Sequence, residues 1–208
     1  MSISSPHKPS DAATVNNFPN QVTSARLLLS LILFACLSLG YYFPGLVLFI
    51  IAASTDWLDG YWARKYGQIT VLGRILDPFA DKMVICGTFI FLVAEPESFV
   101  QAWMVVLIVG RELLVTALRS FLEDRGEDFS ASLSGKLKMV VQCLAAGFSL
   151  FRLSYLDPTG EALWLTTPPD WLTWSLLGLV WLAVAITFYS GVGYVFAAIR
   201  LFRAARLN

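Results

Sequence analysis

The sequence is short of charge. Only 14% of its 208 residues are Asp, Glu, Lys or Arg, where a soluble domain carries about a quarter. That deficit, set against 57% hydrophobic residues, argues for a membrane protein over a large soluble core. Acidic and basic residues balance at 15 each, so no global field draws the chain to nucleic acid. Histidine is nearly absent. His7 stands alone in a polar stretch and is assigned no catalytic role. Cys36, Cys86 and Cys143 sit inside apolar runs without CxxC spacing, so they read as small hydrophobes and not as a disulfide or metal set. The first twenty residues carry Pro6, Pro9 and Pro19 and lack the apolar stretch of a signal peptide, so they read as a cytosolic tail. There is no fixed-period repeat and no linker between separate domains.

What the chain has in plenty is long apolar runs. A helix crossing the hydrocarbon core needs about 20 mostly apolar residues. Six segments qualify: Ala25–Tyr42, Pro44–Arg64, Asp77–Ala94, Phe99–Phe121, Leu133–Leu153 and Trp171–Phe202. The expected fold is therefore all-α, a polytopic membrane protein with six transmembrane helices in one bundle. Residues 1–22 form the cytoplasmic tail and residues 23–208 the membrane domain.

Lys and Arg near membrane ends mark the cytoplasmic side. With the N-terminus inside, Arg64, Lys65, Arg74, Arg119, Arg125, Lys136, Lys138, Arg200, Arg203 and Arg206 all fall on that side. The other side holds Glu95, Glu97, Asp157, Glu161 and Asp170, with Arg152 as its one cation. Aromatic residues near Tyr41–Phe43 and Trp164–Trp174 suit interfacial anchors there.

The informative charges are four aspartates. Asp56 and Asp59 lie at i, i+3 near the end of the second segment; Asp77 and Asp81 lie at i, i+4 at the start of the third. Each pair faces one direction on its helix. A turn over Lys65–Leu76 would bring the pairs together at the cytoplasmic boundary, where four carboxylates repel unless a cation neutralises them. Oxygen donors in that number suit Mg2+ or Mn2+, and two such ions about a phosphoryl group form a recurring catalytic arrangement. Gly60 and Ala63 are small enough for close approach of a ligand or helix, Gly73 does the same in the loop, and Arg64 offers a guanidinium to phosphate. Taken singly, Asp77 before Pro78 also reads as a helix cap.

At these residues the sequence resembles the CDP-alcohol phosphotransferase family, whose signature is D-x2-D-G-x2-A-R-x8-G-x3-D-x3-D. Asp56, Asp59, Gly60, Ala63, Arg64, Gly73, Asp77 and Asp81 match it at every position and spacing. The resemblance implies that Asp56, Asp59, Asp77 and Asp81 bind two metal ions. It implies that Asp81 is a metal ligand or the general base for the acceptor hydroxyl, and that Asp59, Gly60, Arg64 and Gly73 hold the CDP moiety. It also implies six helices, a homodimer and CMP as the leaving group.

The acceptor is argued from other cations. Arg111, Arg119, Lys136 and Lys138 could assemble a pocket for a phosphorylated alcohol. The alternatives are an ion pair inside the bundle for Arg111 and membrane-surface anchoring for the two lysines. The run from Asn17 to Thr23 with Arg26 resembles the phosphatidylglycerophosphate synthase branch. So do Gly110-Arg111-Glu112, Gly135-Lys136-Leu137-Lys138 with Gln142, and Asp77-Pro78-Phe79-Ala80-Asp81-Lys82. Met139 departs from that branch, where threonine is common. Asn20 and Thr23 also read as caps of the first helix.

The resemblance thus implies CDP-diacylglycerol and glycerol 3-phosphate as substrates, at a bacterial-type inner or plasma membrane with the site facing the cytoplasm. The rival acceptors are serine, inositol or its phosphate, and phosphatidylglycerol for cardiolipin. A divalent-cation transporter is the remote alternative. It is disfavoured because the acids cluster beside the cytoplasmic loop and not at mid-membrane. A catalytically inactive lipid-binding scaffold is opposed by the intact acidic positions.

Overall fold

The structure, a computed structural model, describes residues 18–66, 71–123, 133–156 and 167–204. For residues 18–20, 22, 56–66, 71–77, 121–123, 133–136, 197 and 200–204 it describes the backbone alone. Six α-helices follow one another: α1 (Phe18–Ser38), α2 (Tyr42–Tyr66), α3 (Val71–Leu92), α4 (Ala102–Glu123), α5 (Leu133–Leu153) and α6 (Asp170–Ala204). No strand occurs among the described residues, and a short 3-10 turn, Pro96–Ser98, precedes α4. Among the described residues one stretch, Asp170–Phe196 of α6, is long and apolar enough by itself to cross a membrane.

The ends of these helices have identifiable causes. After α1 the chain turns at Gly40, whose φ of 81° is open to glycine without a Cβ penalty. Tyr41 N–H donates to the Cys36 carbonyl at 2.9 Å and Gly40 N–H to that of Leu37 at 3.2 Å, a Schellman stop that satisfies two terminal carbonyls. Pro44 falls in the first turn of α2, where its missing N–H costs nothing.

Two starts differ from the sequence reading by more than a turn. The first helix begins at Phe18, so Asn20 and Thr23 lie within it and do not cap it, and residues 18–22 are helical. The third begins at Val71, not Asp77. Pro78 is therefore inside α3, where it removes the N–H that would bond the carbonyl four residues back. Asp77 is helical and is no cap, and the segment read as a turn up to Leu76 shrinks to residues 67–70, outside the described part.

α5 is the hub: it packs against α2, α3, α6 and the 3-10 turn, while α1 packs on α2 and α3, and α4 on α3 and α6. Its Ala145, Ala146 and Leu150 are fully buried against Phe49, Leu176 and Ala183 among others. α1 and α3 meet closely because Gly87 has no side chain; a Cβ there would run into the Phe34 ring.

Beside this apolar core the interior also holds polar side chains, while large apolar ones face outward. Thr23, Arg26, Ser30, Arg111, Lys138, Gln142 and Ser190 are buried, while Leu28, Ile32, Val106, Trp174, Phe188 and Tyr189 are exposed. Water would penalise that outer surface, whereas hydrocarbon would not.

The end opposite the aspartates is pinned by Arg152 at the close of α5. Its Nη1 donates to the Glu97 carbonyl at 2.8 Å and to the Glu97 carboxylate at 2.6 Å. Its guanidinium also lies 5.0 Å over the Phe99 ring. Phe99 adopts a left-handed φ of 56°, and the buried Ser98 hydroxyl beside it donates to the Leu92 carbonyl at 2.7 Å.

Candidate active site

The backbone carries Asp56, Asp59, Gly60, Ala63 and Arg64 in the C-terminal half of α2, and Gly73, Asp77 and Asp81 in the N-terminal half of α3. The two helices pack on each other and only residues 67–70 separate them. Every expected ligand or nucleotide-holding position therefore sits beside one helix–helix junction. The side chains of Asp56, Asp59, Arg64 and Asp77 lie outside the described residues, as does that of Lys136.

Asp81 is described. Its Oδ1 accepts a hydrogen bond from Nη1 of Arg26 at 2.6 Å, with the arginine side chain 2% exposed and the aspartate 28%. Arg26 lies on a polar stripe of α1, with Thr23 one turn before and Ser30 one turn after, all buried. The sequence reading placed Arg26 in a motif without giving it a contact. The clue was its presence in a run of Leu and Ile, where a guanidinium needs a partner.

Of the expected acceptor cations, the structure brings Arg111 and Lys138 together. Lys138, buried in α5, donates to Oε1 of Glu112 on α4, and the same oxygen accepts from Arg111 Nη1 at 3.2 Å. Arg111 Nη2 also donates to the Ser190 hydroxyl of α6 at 2.6 Å, and its guanidinium carbon lies 5.2 Å from the centre of the Tyr194 ring. Gln142 donates to Thr187 at 2.9 Å and so ties α5 to α6 nearby. An ion pair within the bundle is thus observed for Arg111, though with its chain neighbour and not with a carboxylate on another helix. Lys138 points inward and does not anchor the chain at a surface.

Arg119, two turns beyond Arg111, is not joined to this cluster by any hydrogen bond or ion pair among the described residues. Its Nε is buried without a hydrogen-bond partner, as is that of Arg111. Buried donors of this kind are uncommon and attract acceptors. Glu112, which the sequence reading left out of the site, is the centre of the cluster. The signal available was a carboxylate beside an arginine in the middle of an apolar helix.

The chemistry of this arrangement follows from its charges. Carboxylates at the α2–α3 junction suit cations, and the Arg111–Lys138 cluster suits an anion. α3, which carries Asp81, packs against both α4 and α5, which carry Glu112 and Lys138.

The family model described as CDP-alcohol phosphatidyltransferase matches residues 16–189. A Bacillus subtilis protein named CDP-diacylglycerol–glycerol-3-phosphate 3-phosphatidyltransferase is 37% identical over 72% of this chain and 86% of its own length. A Pseudomonas fluorescens protein of the same name is 33% identical over 88% of this chain and 90% of its own. A third of that name, from Escherichia coli K12, is 28% identical over 75% and 79%. With its signature aspartates carried on two packed helices and the family model covering most of its length, the chain belongs to the CDP-alcohol phosphatidyltransferase family.

Proposed function

We propose that this protein transfers the phosphatidyl group of CDP-diacylglycerol to sn-glycerol 3-phosphate, giving phosphatidylglycerol phosphate and CMP. The observation that carries the reading is the family's aspartate signature, matched in full across the α2–α3 junction of a chain whose relatives bear that enzyme name.

Asp56, Asp59, Asp77 and Asp81 are the residues to hold Mg2+ or Mn2+, two ions in all. The donor set fits: the described member, Asp81, already takes a cationic partner at 2.6 Å, and carboxylate oxygens are the preferred donors of hard divalent ions. When bound, such ions neutralise charge on the pyrophosphate. Arg64 supplies a guanidinium to the phosphates, while Gly60 and Gly73 leave room for the nucleotide beside the backbone. Asp59 belongs to both the metal and the CDP sets.

Asp81 takes the proton of the acceptor hydroxyl as its oxygen bonds to the phosphorus that carries diacylglycerol. The bond from that phosphorus to the bridging oxygen breaks, and CMP leaves with the electron pair. Arg26 holds the Asp81 carboxylate in place. The phosphate of the acceptor is received by Arg111, Arg119, Lys136 and Lys138.

The same proposal has all six helices spanning a bacterial-type inner membrane, with the N-terminus and the active site on the cytoplasmic side and two chains in a homodimer. The buried polar groups and exposed apolar faces support the spans. The helices are 21 to 35 residues long, and about 20 suffice to cross the hydrocarbon.

Purified protein given CDP-diacylglycerol and a panel of labelled acceptors tests the reaction. Release of CMP with glycerol 3-phosphate, and a phosphorylated lipid product, are expected. CMP release with serine, an inositol species or phosphatidylglycerol, and none with glycerol 3-phosphate, would reject the acceptor. Metal flux across vesicles without any lipid product would reject the enzyme.

A further inference from the structure

The α4–α5–α6 cluster contains two cations and one carboxylate. Arg111 and Lys138 side chains are each 7% exposed and Glu112 12%, so the surplus positive charge is withdrawn from water. A surplus of that kind is costly unless an anion arrives to share it.

The cluster is also held rigidly. Of the Arg111 nitrogens, Nη1 is tied to Glu112 and Nη2 to Ser190, while Nε is buried without a partner. Gly191 leaves the space in which the arginine stem lies; a Cβ there would come within 3.2 Å of Arg111 Cγ. Lys138 brings three protons, and the Glu112 contact engages one of them. The donors that remain come from two helices, α4 and α5, and both side chains are tied to the same Glu112 oxygen.

We propose that Glu112 is the positioning residue of the acceptor-phosphate site. Its Oε1 fixes the Lys138 ammonium and the Arg111 guanidinium side by side, so that their remaining N–H groups receive a phosphate monoester dianion. The proposal rests on the function given above and adds to it a residue that touches no substrate. A carboxylate in a phosphate site is otherwise unfavourable, since it repels the ligand. It is tolerated here because two cations outweigh it and because donors fixed in advance need no ordering when the ligand binds.

The test uses the full-length protein in detergent with Mg2+, and E112Q, which keeps the shape and removes the charge. The KM for glycerol 3-phosphate rises about tenfold or more, as loss of a charged hydrogen bond requires, while the KM for CDP-diacylglycerol stays within about twofold. E112D, which keeps the charge on a shorter stem, falls between. An acceptor KM that is unchanged, or that drops because a competing carboxylate has gone, overturns the proposal; so does an equal rise in both KM values.

If E112Q cannot be purified, E112D decides: an acceptor KM equal to that of the unaltered protein overturns the proposal. A second readout needs no turnover. Inorganic phosphate raises the Tm of the unaltered protein and raises it less in E112Q; equal shifts overturn the proposal. Absence of glycerol 3-phosphate-dependent CMP release from the unaltered protein would count against the function itself, and the phosphate shift would still decide the role of Glu112.

Discussion

Arg26 on α1 donates to Asp81 on α3 at 2.6 Å, a bond that joins residues 55 apart in sequence. It puts the charge of a nearly inaccessible guanidinium onto the one signature carboxylate whose side chain is described. Roughly two turns further along, the same two helices meet again at the close contact that Gly87 permits against Phe34.

Asp81→Asn can still accept the Arg26 hydrogen bond, so the protein should remain folded. Loss of the proton acceptor should lower CMP release by about 100-fold or more. Arg26→Gln removes a charged donor from a buried site and should lower Tm as well as rate. The stability loss expected is about 1–3 kcal/mol. Thermal unfolding in detergent beside a CMP assay separates the two variants. An Asp81→Asn protein with unchanged turnover removes Asp81 from the chemistry.

Gly87→Ala places a methyl group against the Phe34 ring. Overpacking of this kind costs about 1–3 kcal/mol. Phe34→Leu in the same chain should return part of the loss, because the two sites share one contact and cannot act independently. Thermal unfolding of the two single variants and the double variant reads the coupling. Simple additivity would mean that α1 and α3 do not meet through these residues.

At the opposite end, Arg152 and Glu97 make an unequal pair. The Glu97 side chain is 55% exposed, while that of Arg152 is largely buried and also bonds the Glu97 carbonyl. Glu97→Gln should cost no more than about 1 kcal/mol, as exposed ion pairs do. Arg152→Met removes the part-buried hydrogen bond to the Glu97 carbonyl as well as the ion pair and should cost about 1–3 kcal/mol. Equal Tm changes would assign the contact to the ion pair alone and not to the backbone.

The sequence made some of this legible and concealed the rest. α5 has the expected bounds, Leu133 and Leu153, although Lys136 and Lys138 within its first two turns obscured its start. The start of α3 was hidden because Pro78 obeys the rule for a first-turn proline, yet it is also tolerated within a helix whose neighbours compensate. The 3-10 turn over Pro96–Ser98 is too short to leave a period. The aspartate positions were visible because their spacing is local to two helices. The contacts of Arg26 with Asp81 and of Lys138 with Glu112 were not, since each joins separate helices across a packing that no local pattern encodes. Glu112 was read only as part of the Gly110-Arg111-Glu112 motif and is in fact shared between Arg111 of α4 and Lys138 of α5.

The most direct test is CMP release from CDP-diacylglycerol and glycerol 3-phosphate by protein freed of divalent ions with a chelator, before and after Mg2+ or Mn2+ is restored. The proposed role of the four aspartates predicts no release without the ion and recovery with it. Sustained release in the presence of chelator would contradict it.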